Sequence, residues 1–539
     1  MTTRLLSAKN PGDIAEAGRL LRAGEVVGIP TETVYGLACS AFDARAALRV
    51  FAAKGRPADN PLIVHISDLA QLPALVQEVP ESAYRLAARF WPGPMTLLMR
   101  KKACIPDEVT ASLPTVGIRM PSHPAARAII DAAGVPLAAP SANTSGKPSP
   151  TTAKHVLDDM DGKIAAIVDG GACSVGVEST VIDLTGPVAQ VLRPGAITEE
   201  MIAAVLGTAA TDPAVNRGLS AGERPKAPGM KYRHYAPKAP VLLLEGPPEN
   251  TAAALRRELR PEDGAICFSE YIGALPACRS AERLGESWDH AAHARRVFAA
   301  LRALDRTDAP RILAQCPRTE GAEAGAVNRL RKAAGFHTLD CRGGRFVLGV
   351  TGRTGCGKSL LAAELRARGA AILDADVIYK ELLCSDREML AAIEARFPGT
   401  VRDGALDRGA LGRIVFADKN ALLDLNGLTH PAVFREVGRR IAAGPRGLVL
   451  LDVPLLFESR IDRWCDLTLG LLAPRRVSLR RVMARDGIDQ TRARARLQSQ
   501  PDNDFYRRRC DVLLENDCCL EEFQARVRAF CAKYLPADK

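Results

Sequence analysis

The stretch Thr351-Gly-Arg-Thr-Gly-Cys-Gly-Lys-Ser359 carries the plainest chemistry in the sequence. Gly352, Gly355 and Gly357 allow turns that a Cβ would obstruct, so successive backbone N–H groups can point inward around the oxygens of an anion. In the spacing G-x-x-x-x-G-K-S that anion is a nucleotide phosphate. Lys358 reaches the β- and γ-phosphates, Ser359 holds Mg²⁺, and Cys356 and Leu360 complete the loop. The apolar run Phe346 to Val350 precedes it and a helical pattern from Lys358 to about Arg368 follows. The unit is therefore strand, loop and helix, with the helix's positive end aimed at the phosphates.

Four more apolar runs, Ala371 to Leu373, Leu448 to Leu451, Leu467 to Leu472 and Val512 to Leu514, read as buried parallel strands. Ligands of such sheets sit beyond the C-terminal strand ends. Asp374, Asp376 and Asp452 fall at those ends, where a phosphoryl acceptor needs a base and Mg²⁺ needs a carboxylate. Helix caps and strand-end turns are the other uses of such residues. Arg480, Arg481, Arg485, Arg492, Arg494 and Arg496 crowd a helical hairpin around Asp486-Gly487, the pattern either of a lid closing on phosphates or of a solvated basic helix.

The order Asp374-Ala-Asp376, Leu406-Asp-Arg408, His430-Pro431, Leu451-Asp-Val-Pro-Leu-Leu-Phe-Glu458, Arg485-Asp-Gly487 and Arg496 to Gln500 resembles the dephospho-CoA kinases over nearly all of this region. The resemblance implies transfer of the ATP γ-phosphoryl group to the ribose 3′-hydroxyl of dephospho-CoA. It makes Asp376 the base, with Lys358, Arg485 and Arg496 on the phosphates and Asp452 a possible Mg²⁺ ligand. Cys356 stands where serine is usual, Leu360 where a hydroxyl residue is frequent, and Tyr506 and Cys510 where lysine and alanine are common. Backbone groups do the cradling, so activity should survive the loop changes.

The chain has 539 residues, too many for one ordinary hydrophobic core, and three or more domains are expected. It is 47% hydrophobic and 25% charged, the profile of a folded soluble protein. A net charge of +11 suits polyanionic ligands. Its 14 cysteines are scattered with no C-x-x-C pair, and Met1 to Pro30 is interrupted by charges. A reduced cytoplasmic protein without a leader or membrane span is the expectation.

The fold class is α/β and multidomain. Residues 1–207 alternate apolar runs (Val26 to Ile29, Leu62 to Ile66, Ala165 to Val168) with helical patterns, as in an α/β twisted open sheet. A linker follows at 208–240, a small α/β domain at 241–341 and the P-loop domain with its parallel sheet at 342–539. In the small domain His290 and His293 lie three apart with no acidic or cysteine neighbour, which argues against a metal. Mg²⁺ brought by ATP is the only cofactor expected, with no tightly bound organic cofactor or structural metal.

The N-terminal domain groups polar residues beside its apolar runs: Pro30-Thr-Glu-Thr-Val-Tyr-Gly36, Lys54-Gly-Arg-Pro57, Asn60-Pro-Leu-Ile-Val-His65 and Ser141-Ala-Asn-Thr-Ser-Gly-Lys-Pro-Ser-Pro150. Such groups suit an anionic small molecule. They resemble the YrdC-type threonylcarbamoyl-AMP synthases, as do Gly117-Ile-Arg-Met-Pro121, Gly176-Val-Glu-Ser-Thr-Val-Ile-Asp183 and Leu192-Arg-Pro-Gly195. Pro228 to Pro237 and Asn328 to Ala334 resemble that family's long form, with Ala227 in place of a usual serine. The resemblance implies a reaction of L-threonine, bicarbonate and ATP to threonylcarbamoyl-adenylate and pyrophosphate, serving tRNA modification. It places Thr33, His65, Arg119, Ala139 and Ser179 around threonine. It places Lys54, Arg56, Asn60, Thr115, Ser141, Ser149, Arg193 and His234 around ATP. The partners implied are ATP, L-threonine, bicarbonate and dephospho-CoA, with tRNA and the tRNA threonylcarbamoyl transferase machinery beyond them and no membrane. An RNA-binding module fused to a P-loop kinase of another nucleotide or small alcohol is the alternative.

Overall fold

The apolar runs become strands because each is short, rich in β-branched residues or leucine, and buried from both sides. A computed structural model of the chain describes residues 2–55, 57, 60–217, 235–318, 323–402, 404–498 and 500–536. Two units are resolved: Met1–Glu245 with Ala252–Leu339, and Gly246–Thr251 with Asp340–Lys539.

The first unit contains an eleven-stranded mixed sheet in the order β1-β8-β2-β3-β7-β4-β6-β5-β9-β10-β11. Its strands are β1 (Arg4–Ser7), β2 (Val27–Ile29), β3 (Gly36–Ser40), β4 (Ile63–His65), β5 (Met95–Arg100), β6 (Thr115–Arg119), β7 (Leu137–Ala139), β8 (Ala166–Asp169), β9 (Thr180–Asp183), β10 (Gln190–Arg193) and β11 (Ala210–Thr211). Both faces are covered. Along β3, Leu37 and Cys39 join one apolar cluster and Ala38 the other, as the two-residue strand period requires. Helix α1 (Pro11–Arg22) starts at an Asn10 cap whose Oδ1 accepts the Gly12 N–H at 3.0 Å. It packs on α3 (Pro124–Ala133) so closely that a Cβ on Gly18 would lie 2.6 Å from the Ala132 backbone. Between them, α2 (Ala44–Lys54) is capped by Asp43 and ends at Gly55 with φ 60°.

A second sheet of the same unit runs β14-β13-β15-β12-β16. It comprises β12 (Val241–Glu245), β13 (Gly264–Cys267), β14 (Ser280–Arg283), β15 (Ile312–Gln315) and β16 (Thr338–Asp340). Helices α4 (His290–Asp305) and α5 (Ala324–Ala333) flank it. Arg302 of α4 donates to Asp159 Oδ2 at 2.8 Å, a buried ion pair that ties this sheet's helix layer to the first domain. Contrary to the expectation of a bare linker from 208 to 240, β11 pairs in parallel with β10 and Ala214–Arg217 forms a helical turn. Residues 218–234, including Ala227 and most of the basic and aromatic stretch, lie outside the described residues.

The second unit has a five-stranded parallel sheet in the order β18-β21-β17-β22-β23. Its strands are β17 (Arg345–Thr351), β18 (Ala371–Asp374), β21 (Gly447–Asp452), β22 (Leu467–Leu472) and β23 (Val512–Glu515), and a small hairpin forms from β19 (Val401–Arg402) and β20 (Ala405–Leu406). Val347 and Leu348 of β17 belong to clusters on opposite faces. Helices α6 (Lys358–Ala367) and α7 (Ala375–Ser385) follow β17 and β18, and α8 (Arg475–Asp486) and α9 (Gln490–Gln498) make the basic hairpin, turning at Gly487 with φ 63°. No helix among the described residues is long and apolar enough to cross a membrane.

Candidate active sites

In the second unit, β17 delivers the chain into the loop Gly352 to Ser359 at the C-terminal edge of the sheet. Gly352, Gly355 and Gly357 have φ of 143°, 82° and 109°. A Cβ on Gly357 would lie 2.3 Å from Asn516 Nδ2, whose amide donates to the Cys356 carbonyl at 2.8 Å. The loop opens on a cleft of about 620 Å³ lined by Gly355 to Leu360, Asp374, Asp376, Asp452, Arg481, Arg485 and Arg496. That volume is in the range of small-molecule sites. Of the kinase residues expected from the sequence, Gly355 to Leu360, Asp376, Asp452, Arg485 and Arg496 line this cleft, Arg480, Arg492 and Arg494 of the hairpin do not, and Gly352 accepts the Lys358 Nζ bond at 2.9 Å.

The carboxylates differ in duty. Asp374 caps α7, accepting from the backbone N–H groups of Asp376 (2.8 Å) and Val377 (3.3 Å), which leaves Asp376 uncommitted to the cap. Burial, then the neighbouring charge of Asp374, raises Asp376 above the ordinary carboxylate value. Asp452, at the end of β21, is raised by burial, and its Oδ1 is buried with no hydrogen-bond partner among the described residues. A buried bare carboxylate oxygen beside Lys358 and Ser359 fits a divalent cation with oxygen ligands. Asp486 holds Arg485 (2.7 Å) and Arg496 (2.7 Å) together across the α8–α9 hairpin. Arg481 and Asn516 bond at 3.0 Å beneath the loop, and Gln500 Oε1 accepts from the Thr354 N–H at 2.8 Å. These loop supports are polar residues within the recognised runs or just beyond them, and only the fold reveals their contacts. Cys356 is buried, and burial pushes its thiol up, away from the reactive thiolate. Tyr506 and Cys510 pack with Leu472 in a small apolar cluster.

In the first unit the pocket gathers Thr31, Thr33, His65, Arg119, Ala139, Ser141, Glu178, Ser179, Arg193 and Tyr235 from four strand ends and the loops beside them. Arg119, at the end of β6, donates to Thr33 Oγ1 at 2.8 Å and pairs with Glu32 at 2.6 Å, all three buried. Burial, then the charge of Arg119, lowers His65 to about 3, so it works as a neutral imidazole. Arg193 donates to the Ser179 carbonyl and hydroxyl, both at 3.0 Å, and burial brings it down to about 10, still charged at neutral pH.

The small domain braces the lining residue Glu178 from outside the pocket. Arg329 of α5 is fully buried, donates to Glu178 Oε2 at 2.8 Å and to the Pro194 carbonyl, and lies 5.9 Å from the Tyr235 ring centroid. Ser149 donates to the other Glu178 oxygen. Burial raises the Glu178 carboxyl, but Arg329 and Arg193 outweigh this and hold it at about 2. Glu32, Glu178 and Arg329 lie inside the recognised runs, but their local spacing gives no sign that they meet.

The remaining expected residues are dispersed. Lys54 is buried at the end of α2, and its ammonium donates to the carbonyls of Ser141 and Asn143 (2.7 Å for the latter), supporting that loop from outside the pocket lining. Thr115 begins β6 and pairs with Arg100, four residues and about 13 Å of strand from Arg119. Asn60 is buried ahead of β4. Arg56 and His234 lie outside the described residues. The reading of His290 and His293 as lacking an acidic neighbour is corrected: Glu323, thirty residues beyond His293, touches both.

Residues 19–195 match the family model described as Telomere recombination, and 197–335 that described as Threonylcarbamoyl-AMP synthase, C-terminal domain. Residues 346–522 match Dephospho-CoA kinase. Curated threonylcarbamoyl-AMP synthases of Pyrococcus abyssi and Bacillus subtilis are each 46% identical, over 60% and 62% of this chain and 94% and 96% of theirs. A dephospho-CoA kinase of Syntrophotalea carbinolica is 37% identical over 36% of this chain and 94% of its own. The crystal structure of a P. abyssi relative complexed with L-threonine superposes with a TM-score of 0.60 at 43% identity, covering 63% of this chain and 99% of that one. The chain therefore belongs to the threonylcarbamoyl-AMP synthase family through its first unit and to the dephospho-CoA kinase family through its second, and is a bifunctional enzyme.

Proposed function

We propose that the Thr33–His65–Arg119–Ser179 pocket binds L-threonine and that ATP lies beside it, against Ser141, Ser149 and Arg193, with Lys54 holding the Ser141 loop. The observation that supports this most is the Arg119 guanidinium, buried and aimed at Thr33 Oγ1 inside the pocket. A second carboxylate, that of the amino acid, suits its planar donor array. Bicarbonate condenses with the threonine amine to a carbamate with loss of water, and the carbamate oxygen attacks the ATP α-phosphorus. The P–O bond to pyrophosphate breaks, giving threonylcarbamoyl-adenylate. Fixed cations stabilise the charge that develops on the phosphates, and neutral His65 orients the amino acid without competing for its carboxylate. The product is a carrier for tRNA modification, which makes tRNA and its threonylcarbamoyl transferase machinery downstream partners.

In the second unit, Asp376 accepts the proton of the ribose 3′-hydroxyl as that oxygen attacks the γ-phosphorus, and ADP departs. Lys358 and the loop N–H groups hold the phosphates, while Arg485 and Arg496 close over them from the α8–α9 hairpin. Ser359 and Asp452 would hold Mg²⁺, which when bound with ATP neutralises phosphate charge. The raised Asp376, free of the cap that engages Asp374, supports its part as base.

Two assays on the intact chain test the reading. Pyrophosphate release should require both threonine and bicarbonate. ADP formation should respond to dephospho-CoA far more than to nucleoside monophosphates. Release that proceeds equally without bicarbonate, or a kinase indifferent to dephospho-CoA, would overturn the corresponding half.

A further inference from the structure

We propose that His290, His293 and Glu323 bind a divalent first-row transition-metal ion of the zinc type, fastening the start of α5 to α4. The two histidines sit three apart on α4, so their rings share one face, with centroids 6.4 Å apart. Glu323 arrives from the segment leading into α5. Nδ1 of His290 and Nδ1 of His293 each lie 2.7 Å from the same carboxylate oxygen, Oε1. One ligand atom from each of the three residues falls within 4.8 Å of the others. A tetrahedron with metal–ligand bonds of about 2.1 Å has edges of about 3.4 Å, so small adjustments suffice.

Donor and acceptor accounting points the same way. Nε2 of His293 lies 2.9 Å from the Glu286 carbonyl, so that nitrogen carries a hydrogen and Nδ1 is left to face Glu323 Oε1. Something positive must sit between that nitrogen and the carboxylate, and a metal ion can take the place of a proton there. The N–H to a backbone carbonyl is also how ligating histidines are oriented and made more basic. The side chains of Glu323 and His293 are fully buried and that of His290 is 10% exposed. Glu323 occupies the cap position of α5 but makes no cap bond with its side chain, and Oε2 is buried with no hydrogen-bond partner among the described residues. A buried bare carboxylate oxygen is costly unless a cation or donor meets it. Two imidazoles and one carboxylate suit zinc and its first-row neighbours better than Mg²⁺ or Ca²⁺, which take oxygen ligands.

The position gives the ion a consequence. Arg329, six residues along α5, is the residue that holds Glu178 behind the synthase pocket. Anchoring the first turn of α5 fixes the origin of that contact.

The test uses the untagged full-length chain, freed of metal by chelation and dialysed against buffer with and without zinc. Metal analysis should find about one zinc per chain, and competition with a chromogenic chelator should place its dissociation constant on the order of 1 µM or below. Glu323→Gln and His293→Ala should each weaken binding at least tenfold, with the ADP-forming rate of the second unit unchanged. Zinc, but not magnesium, should raise the melting temperature of the wild-type first unit and leave that of Glu323→Gln unmoved. His290→Gln, the least buried of the changes, provides the same comparison if the others fold poorly. Wild type that takes up no zinc, or variants that bind it as tightly, would overturn the proposal and leave a proton-sharing cluster.

Discussion

Replacing Glu178 by Gln preserves shape but removes a negative charge to which both Arg329 and Arg193 are coupled. Glu178 is buried and its carboxyl is held at about 2 against an ordinary 4.5. That depression corresponds to about 3 kcal/mol of stabilisation. The variant strands the Arg329 guanidinium, itself fully buried, and losing one partner of a buried pair costs about 3–5 kcal/mol. For a unit of this size the melting temperature should fall by roughly 4–7 °C. The folded carboxyl lies below its unfolded value, so its stabilisation is complete above pH 4.5 and is lost as pH falls towards 2. The gap between wild type and Glu178→Gln should therefore be widest near neutrality and narrow below pH 4.5. Scanning calorimetry between pH 2.5 and 7.5 measures the gap. Threonine-dependent pyrophosphate release, with ADP formation as the internal control, measures the functional loss. A neutral-pH difference under 2 °C with normal pyrophosphate release would refute the assignment of Glu178 as the charge that organises the pocket.

Asp376→Asn should lower the kinase turnover by about 10²–10⁴-fold while ATP still binds, because a proton acceptor is removed and the loop is not; a loss confined to the KM for ATP would contradict this. Gly357→Ala should abolish ATP binding, since the new Cβ meets Asn516 Nδ2 at 2.3 Å and φ is 109°, and equilibrium binding of a fluorescent ATP analogue checks it. His65 is lowered to about 3 and should stay neutral from pH 5 to 8; an inflection near pH 6.5 in the KM for threonine that vanishes in His65→Asn would count against it. Cys356→Ser should leave kinase activity within about threefold, because backbone N–H groups form the cradle, and steady-state rates decide the matter.

The kinase site was legible because its chemistry is contiguous. Eight residues from Gly352 to Ser359 specify a backbone shape, and the carboxylates follow directly on strands that the apolar runs mark. The synthase pocket was legible mainly through resemblance, since its groups act only when distant segments meet. Glu178 and Arg329 are 151 residues apart, and nothing in local spacing pairs them. Lys54 was placed beside ATP by resemblance alone, and its contact at the end of α2 with the carbonyls of Ser141 and Asn143 is one that local spacing does not show. Glu323 is likewise thirty residues from His293 in sequence, and only helix packing brings it to the two histidines.

Two independent sites on one chain are the central claim, and a paired assay on wild type, Arg119→Ala and Asp376→Asn tests it most directly. The wild type should release pyrophosphate with threonine and bicarbonate and form ADP with dephospho-CoA in one preparation. Arg119→Ala should lose the first activity and keep the second, and Asp376→Asn should do the reverse. A single substitution that abolishes both activities in folded protein, or a wild type that lacks either, would contradict the account.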